Sequence, residues 1–77
     1  MSRAYILIET TPGTIRDAVV MLRELDEIEV VDTVTGPHDI VAVVDAIGME
    51  SLGDLLAEKI ATIPGVAKTT TCIVVPG

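Results

Sequence analysis

Residues 29–47 read EVVDTVTGPHDIVAVVDAI, and the fold turns on the four residues in the middle. Residues 29–34 and 39–47 are rich in valine and isoleucine, as strands are. Only Thr35, Gly36, Pro37 and His38 separate them. A parallel pair needs a crossover of about a dozen residues or more, so these two strands form an antiparallel hairpin.

Working outward, residues 4–9 (AYILIE) form another short apolar run, which stops at Thr10-Thr11-Pro12-Gly13. That pattern is a strand running into a turn. Thr14 then offers an N-cap, with Asp17 three residues on in a capping-box-like pair. Ile15, Ala18, Val19, Leu22 and Leu25 follow at helical spacing. Beyond the hairpin, Gly48 breaks the strand. Leu52, Leu55, Leu56, Ile60 and Ile63 mark a second helix, ended by Pro64-Gly65. Gly53 within it lowers helix stability by about 1 kcal/mol relative to alanine. Residues 66–75 (VAKTTTCIVV) close the pattern as a fourth strand. The order βαββαβ predicts an α+β, ferredoxin-like fold: a four-stranded antiparallel sheet with two helices on one face. No linker, low-complexity segment or clear internal repeat interrupts it, so residues 1–77 are expected to be a single domain.

Two helices cover one face of such a sheet and leave the other open. Yet the first strand supplies apolar residues to both faces: Ala4, Ile6 and Ile8 on one, Tyr5 and Leu7 on the other. The third does the same with Ile40, Ala42 and Val44 against Val41 and Val43. A chain this short buries only about 60% of its unfolded surface. Cys72 is its only cysteine, so no disulfide staples it. Both facts predict a homodimer packed sheet to sheet.

Charge narrows the partners. Twelve acids against five bases give a formal net charge of −7. The bases Arg3, Arg16, Arg23, Lys59 and Lys68 are scattered along the chain, and Tyr5 is the one aromatic residue. Direct nucleic-acid binding is disfavoured on both electrostatic and stacking grounds, and an anionic membrane surface on the first. No apolar run approaches the roughly 20 residues of a spanning helix. The N-terminus enters a strand without a cleavage pattern. A cytoplasmic protein is expected.

Catalytic sets are scarce. One histidine, one cysteine and no asparagine or glutamine leave few nucleophile–base pairs. A Cys72–His38 pair would join a hairpin tip to the far part of the last strand. No second histidine or Cys-x-x-Cys offers metal ligands. The acidic run Glu24, Asp26, Glu27, Glu29 and Asp32 lacks the spacing and central glycine of a calcium loop. The expectation is a non-enzyme with no metal and no cofactor. Two stretches remain. In VTGPHDIV (residues 34–41), a glycine frees backbone amides to meet an anion and Asp39 offers a carboxylate to an ammonium group. The same residues also make an ordinary hairpin turn. Thr69-Thr70-Thr71 reads first as strand propensity on a half-wet surface, and only second as a row of hydroxyls for a polar ligand.

At this point the residues resemble a known family. Thr35-Gly36-Pro37-His38-Asp39, followed by an apolar strand, is similar to the Gly-x-x-Asp signature of the Lrp/AsnC effector domain, also called RAM. Ile63-Pro64-Gly65-Val66, then Thr69-x-Thr71-x-Ile73-Val74, resembles its closing pattern. The resemblance runs from Ala4 to Val75. It implies sheet-to-sheet dimers that assemble into rings of four or five dimers, an octamer or decamer. It also implies a small effector, usually an amino acid, bound in clefts between dimers. The site residues carried over are Thr35, Gly36, Pro37, His38 and Asp39, with Thr69 and Thr71 from the second motif. Family regulators begin with a DNA-binding helix-turn-helix domain. This chain resembles a stand-alone member that responds to effector and modulates amino-acid-responsive transcription, for instance through a full-length Lrp/AsnC-type partner, without touching DNA itself. The family's loop carries an aromatic where His38 stands here. Two alternatives accompany this reading: a structural partner of such a regulator with no ligand of its own, and a small dimeric α/β-barrel enzyme.

Overall fold

The hairpin forms where the spacing places it. In the computed structural model, which describes residues 2–76, β2 (Val30–Thr33) pairs antiparallel with β3 (Ile40–Ile47). The first strand, β1 (Ser2–Thr10), pairs with β3 on one side and with β4 (Val66–Ile73) on the other, antiparallel in both cases. The sheet order is therefore β2-β3-β1-β4. Helix α1 (Ile15–Arg23) connects β1 to β2. Between β3 and β4 runs a second helix whose first half, α2 (Met49–Asp54), is α-helical. Its second half, Leu55–Ile60, is wound as a π-helix. The expected βαββαβ fold is present. No helix of the described residues is long and apolar enough to cross a membrane.

Burial alternates along the strands more sharply than composition suggests. Ala4, Ile6 and Ile8 are fully buried and join Ile40, Ala42 and Val44 beneath the helices. Ala18, Val19 and Leu22 of α1 complete this layer, with Leu52, Leu55 and Ile60 of the second helix. Each helix buries its stripe because residues three and four apart share a face. Among the described residues, no helix lies on the opposite sheet face. There Val30, Val43, Tyr5 and Cys72 form one row across the four strands, and Asp32, Val41, Leu7 and Thr70 the next. Val43 is buried within its row, while Tyr5 and Val30 are each 37% exposed.

Local details depart from expectation. Thr14 precedes α1 but makes no side-chain cap. Its hydroxyl instead donates to the carbonyl of Thr11 at 2.7 Å. Thr11 N–H in turn donates to the Gly65 carbonyl at 2.8 Å. This cross-link holds the β1–α1 turn against the turn before β4, so the threonine is spent on tertiary contact rather than on capping. β2 and β4 are each shorter than the apolar run that predicted them; in β4, residues 74 and 75 extend past the paired register.

Candidate functional site

The β2–β3 turn is closed by Val34 N–H donating to the Asp39 carbonyl at 2.9 Å. Asp39 N–H donates to the Ile8 carbonyl, also at 2.9 Å, which anchors the turn to β1. Between these bonds Thr35, Gly36 and Pro37 stand exposed. Gly36 has φ of 134°, a conformation that L side chains rarely adopt, and a Cβ there would meet nothing within 4 Å. The tip therefore presents bare backbone to solvent.

The Asp39 carboxylate also organises this end of the sheet. Its Oδ2 accepts from Thr10 N–H at 2.8 Å and from Thr10 Oγ1 at 3.2 Å. One carboxylate oxygen is thus engaged in tying the end of β1 to the loop. Oδ1 has no hydrogen bond among the described residues. His38 is half-buried, with Nε2 4.0 Å from Glu9 Oε2. The two attract as an ion pair when the imidazole carries a proton.

Thr69 and Thr71 are half-buried on the helix side of β4, paired with Ile8 and Ile6. Because β1 lies between β4 and β3, Thr69 is two strand spacings from Ile40, roughly 10 Å. Within one chain the two motifs are not brought together. The hydroxyls of Thr35, Thr69 and Thr71 make no hydrogen bond among the described residues.

Two open grooves flank α1. One, of about 460 Å³, is lined by Ile15, Arg16, Val19, Val20, Arg23 and Thr33. The other, of about 430 Å³, is lined by Thr14, Asp17, Val20, Met21 and Pro64. Neither includes residues 35–39. Arg16 and Arg23 look scattered in the chain, yet their seven-residue spacing puts both on one side of α1.

The open sheet face is polar at its ends and apolar between. At one end Arg3 Nε donates to Tyr5 Oη at 3.2 Å and Nη1 to Asp45 Oδ2 at 3.1 Å. The Arg3 guanidinium lies 5.6 Å from the Tyr5 ring centroid. Tyr5, through that hydrogen bond and its charge, raises the Arg3 pKa, with Asp45 and Glu29 adding to it. At the other end Glu9 and Lys68 are register partners.

Comparison with known proteins bears on the fold and the family. The Lrp/AsnC ligand binding domain matches residues 3–76. The chain is similar to an uncharacterized HTH-type transcriptional regulator of Pyrococcus abyssi, at 37% identity over 70 residues. That match covers 91% of the chain and 44% of the regulator, so the chain spans less than half of that relative. Among solved structures, a Thermus thermophilus protein superposes with a TM-score of 0.93 at 30% identity, covering 100% of this chain and 96% of that one. A feast or famine regulatory protein of M. tuberculosis, solved with L-methionine, gives a TM-score of 0.84 at 27% identity, covering 100% of this chain and 52% of that one.

Proposed function

The chain belongs to the Lrp/AsnC ligand-binding-domain family, and on that premise we propose that it binds a small amino-acid-like effector and acts by changing its assembly. The observation that carries this reading is the exposed turn Thr35–Gly36–Pro37, anchored to β1 through Asp39. Gly36 admits the backbone of a ligand closely, as a side chain there would not. Asp39 receives the ligand's ammonium group on its remaining oxygen, and His38 meets the side chain. Thr69 and Thr71 join such a site from a neighbouring chain, since β1 keeps them from their own loop. The relative bound to L-methionine supports an amino acid as the ligand class.

Assembly follows from the open face. We propose a sheet-to-sheet homodimer burying Tyr5, Leu7, Val30, Val41 and Val43, with hairpin tips meeting in a higher oligomer. Effector would shift that equilibrium by binding one assembly better than another. The relatives are transcriptional regulators, which supports a regulatory rather than an enzymatic role. With a charge of −7, DNA contact is left to a regulator of that kind as partner. Thermal-shift and calorimetric titration with each of the twenty amino acids tests the proposal, with light scattering run in parallel. Saturable binding by at least one, together with a change in mass, is expected. An intact oligomer indifferent to all of them would overturn effector binding.

A further inference from the structure

The groove between α1 and β2 concentrates the positive charge of an acidic protein. Two of the five bases, Arg16 and Arg23, line it, and none of its lining residues is acidic. Elsewhere Arg3 and Lys59 are held by Asp45 and Glu27. Arg16 has no hydrogen bond or ion pair among the described residues. Arg23 gives one Nη2 hydrogen to the Val31 carbonyl at 3.2 Å, which docks its guanidinium on β2 and leaves other donors of the fork available. Seven residues are two helical turns, so both arginines rise from the same side of α1, about 10 Å apart along the axis.

Between them the floor is aliphatic. Ile15, Val19 and Val20 line it, and Val20 leaves 57% of its surface in water. Thr33 of β2 also lines it. The volume, about 460 Å³, falls in the range of small-molecule sites. Guanidinium groups pair with carboxylates through two parallel hydrogen bonds, a geometry lysine does not offer. The exposed valine gains by covering with an aliphatic chain. An ammonium group finds no carboxylate there; the nearest acid on α1, Asp17, lines the neighbouring groove.

We infer that this groove is a second ligand site, for a small aliphatic carboxylate without an amino group, held by Arg16 and Arg23. It shares no residue with the turn at 35–39 and does not depend on the effector reading given to that turn. Titration of the full chain with hexanoate, followed by amide NMR shifts, tests it. Methyl hexanoate serves as the uncharged twin and leucine as the amino-bearing one. Saturable shifts centred on Val19, Val20 and Thr33 are expected for hexanoate and not for the other two. Arg16→Gln, which removes no hydrogen bond or ion pair among the described residues, is expected to weaken hexanoate binding roughly tenfold or more, the loss of a charge-assisted pair. Methyl hexanoate or leucine binding the groove as well as hexanoate would overturn the inference. So would shifts centred on residues 35–39, an unaffected Arg16→Gln variant, or no saturable shift.

Discussion

Gly65 has φ of 95°, and a Cβ built on it would overlap the Thr14 side chain. Gly36 also lies in the left-handed half of the map, at 134°, yet its Cβ would meet empty space. Alanine at the two positions should therefore separate strain from collision. Gly36→Ala is expected to cost about 1–3 kcal/mol of backbone strain. Gly65→Ala should cost roughly 1–2 kcal/mol more, since the Thr11–Gly65 bridge must also shift. Urea unfolding of both variants checks the order. Asp39 can be dissected similarly. Asp39→Asn keeps an acceptor for Thr10 but loses the charge, so it should fold normally and bind amino acid about tenfold more weakly in calorimetry. Asp39→Ala should lose about 1–3 kcal/mol as well, by leaving Thr10 N–H without its acceptor. Equal binding by Asp39→Asn would make Asp39 a scaffold residue alone. The Gly-x-x-Asp signature was legible in the chain. Its tie to Thr10, 29 residues earlier, was not, because a hydrogen bond between distant segments leaves no local pattern.

At the scale of elements, Glu27 and Lys59 form an ion pair between the α1–β2 connection and the π-helical segment. The Lys59 hydrogen bond lowers the Glu27 pKa below its ordinary 4.5, and the same bond raises that of Lys59 above 10.5. A carboxylate with a depressed folded pKa stabilises above its unfolded value and loses that contribution as pH falls through the folded one. A raised lysine stabilises below its unfolded value and loses its contribution as pH rises through the folded one. Lys59→Met should therefore lower the melting temperature near neutral pH and converge with the parent protein in acid. The pair is partly exposed, so the difference should shrink in high salt. Calorimetry between about pH 3 and 7 would show it, and parallel curves throughout would exclude the pair as a source of stability. The second helix also shows where periodicity misleads. Its apolar spacing reads as one α-helix. Yet Ala61 N–H donates to Leu56 O at 2.9 Å, an i to i−5 bond, and Leu55 and Ile60, five apart, are both buried. Packing of both side chains onto the sheet favours the wider turn over the propensity of the segment.

For the whole molecule, the uncovered sheet face is the decisive feature. Leu7 lies on that face, flanked in register by Val41 and Thr70, and takes no part in the core under the helices. Leu7→Glu should keep the circular dichroism of the parent and reduce the mass by light scattering to one chain, because a carboxylate there has no partner to offset its desolvation. The parent's melting temperature should rise with protein concentration, as mass action requires of a dimer. A Leu7→Glu protein that kept the parental mass would place the interface elsewhere. The element order, the antiparallel hairpin and the two apolar helix stripes are legible in the chain, because each is written in spacings of a few residues. So are the residues of the turn. Folding in three dimensions was needed to share Asp39 between loop and β1, to set Thr69 and Thr71 apart from their own turn, and to line one groove with Arg16, Arg23 and Thr33. Those relations join residues far apart in the chain, and only the sheet order and the helix packing bring them to one place or hold them apart.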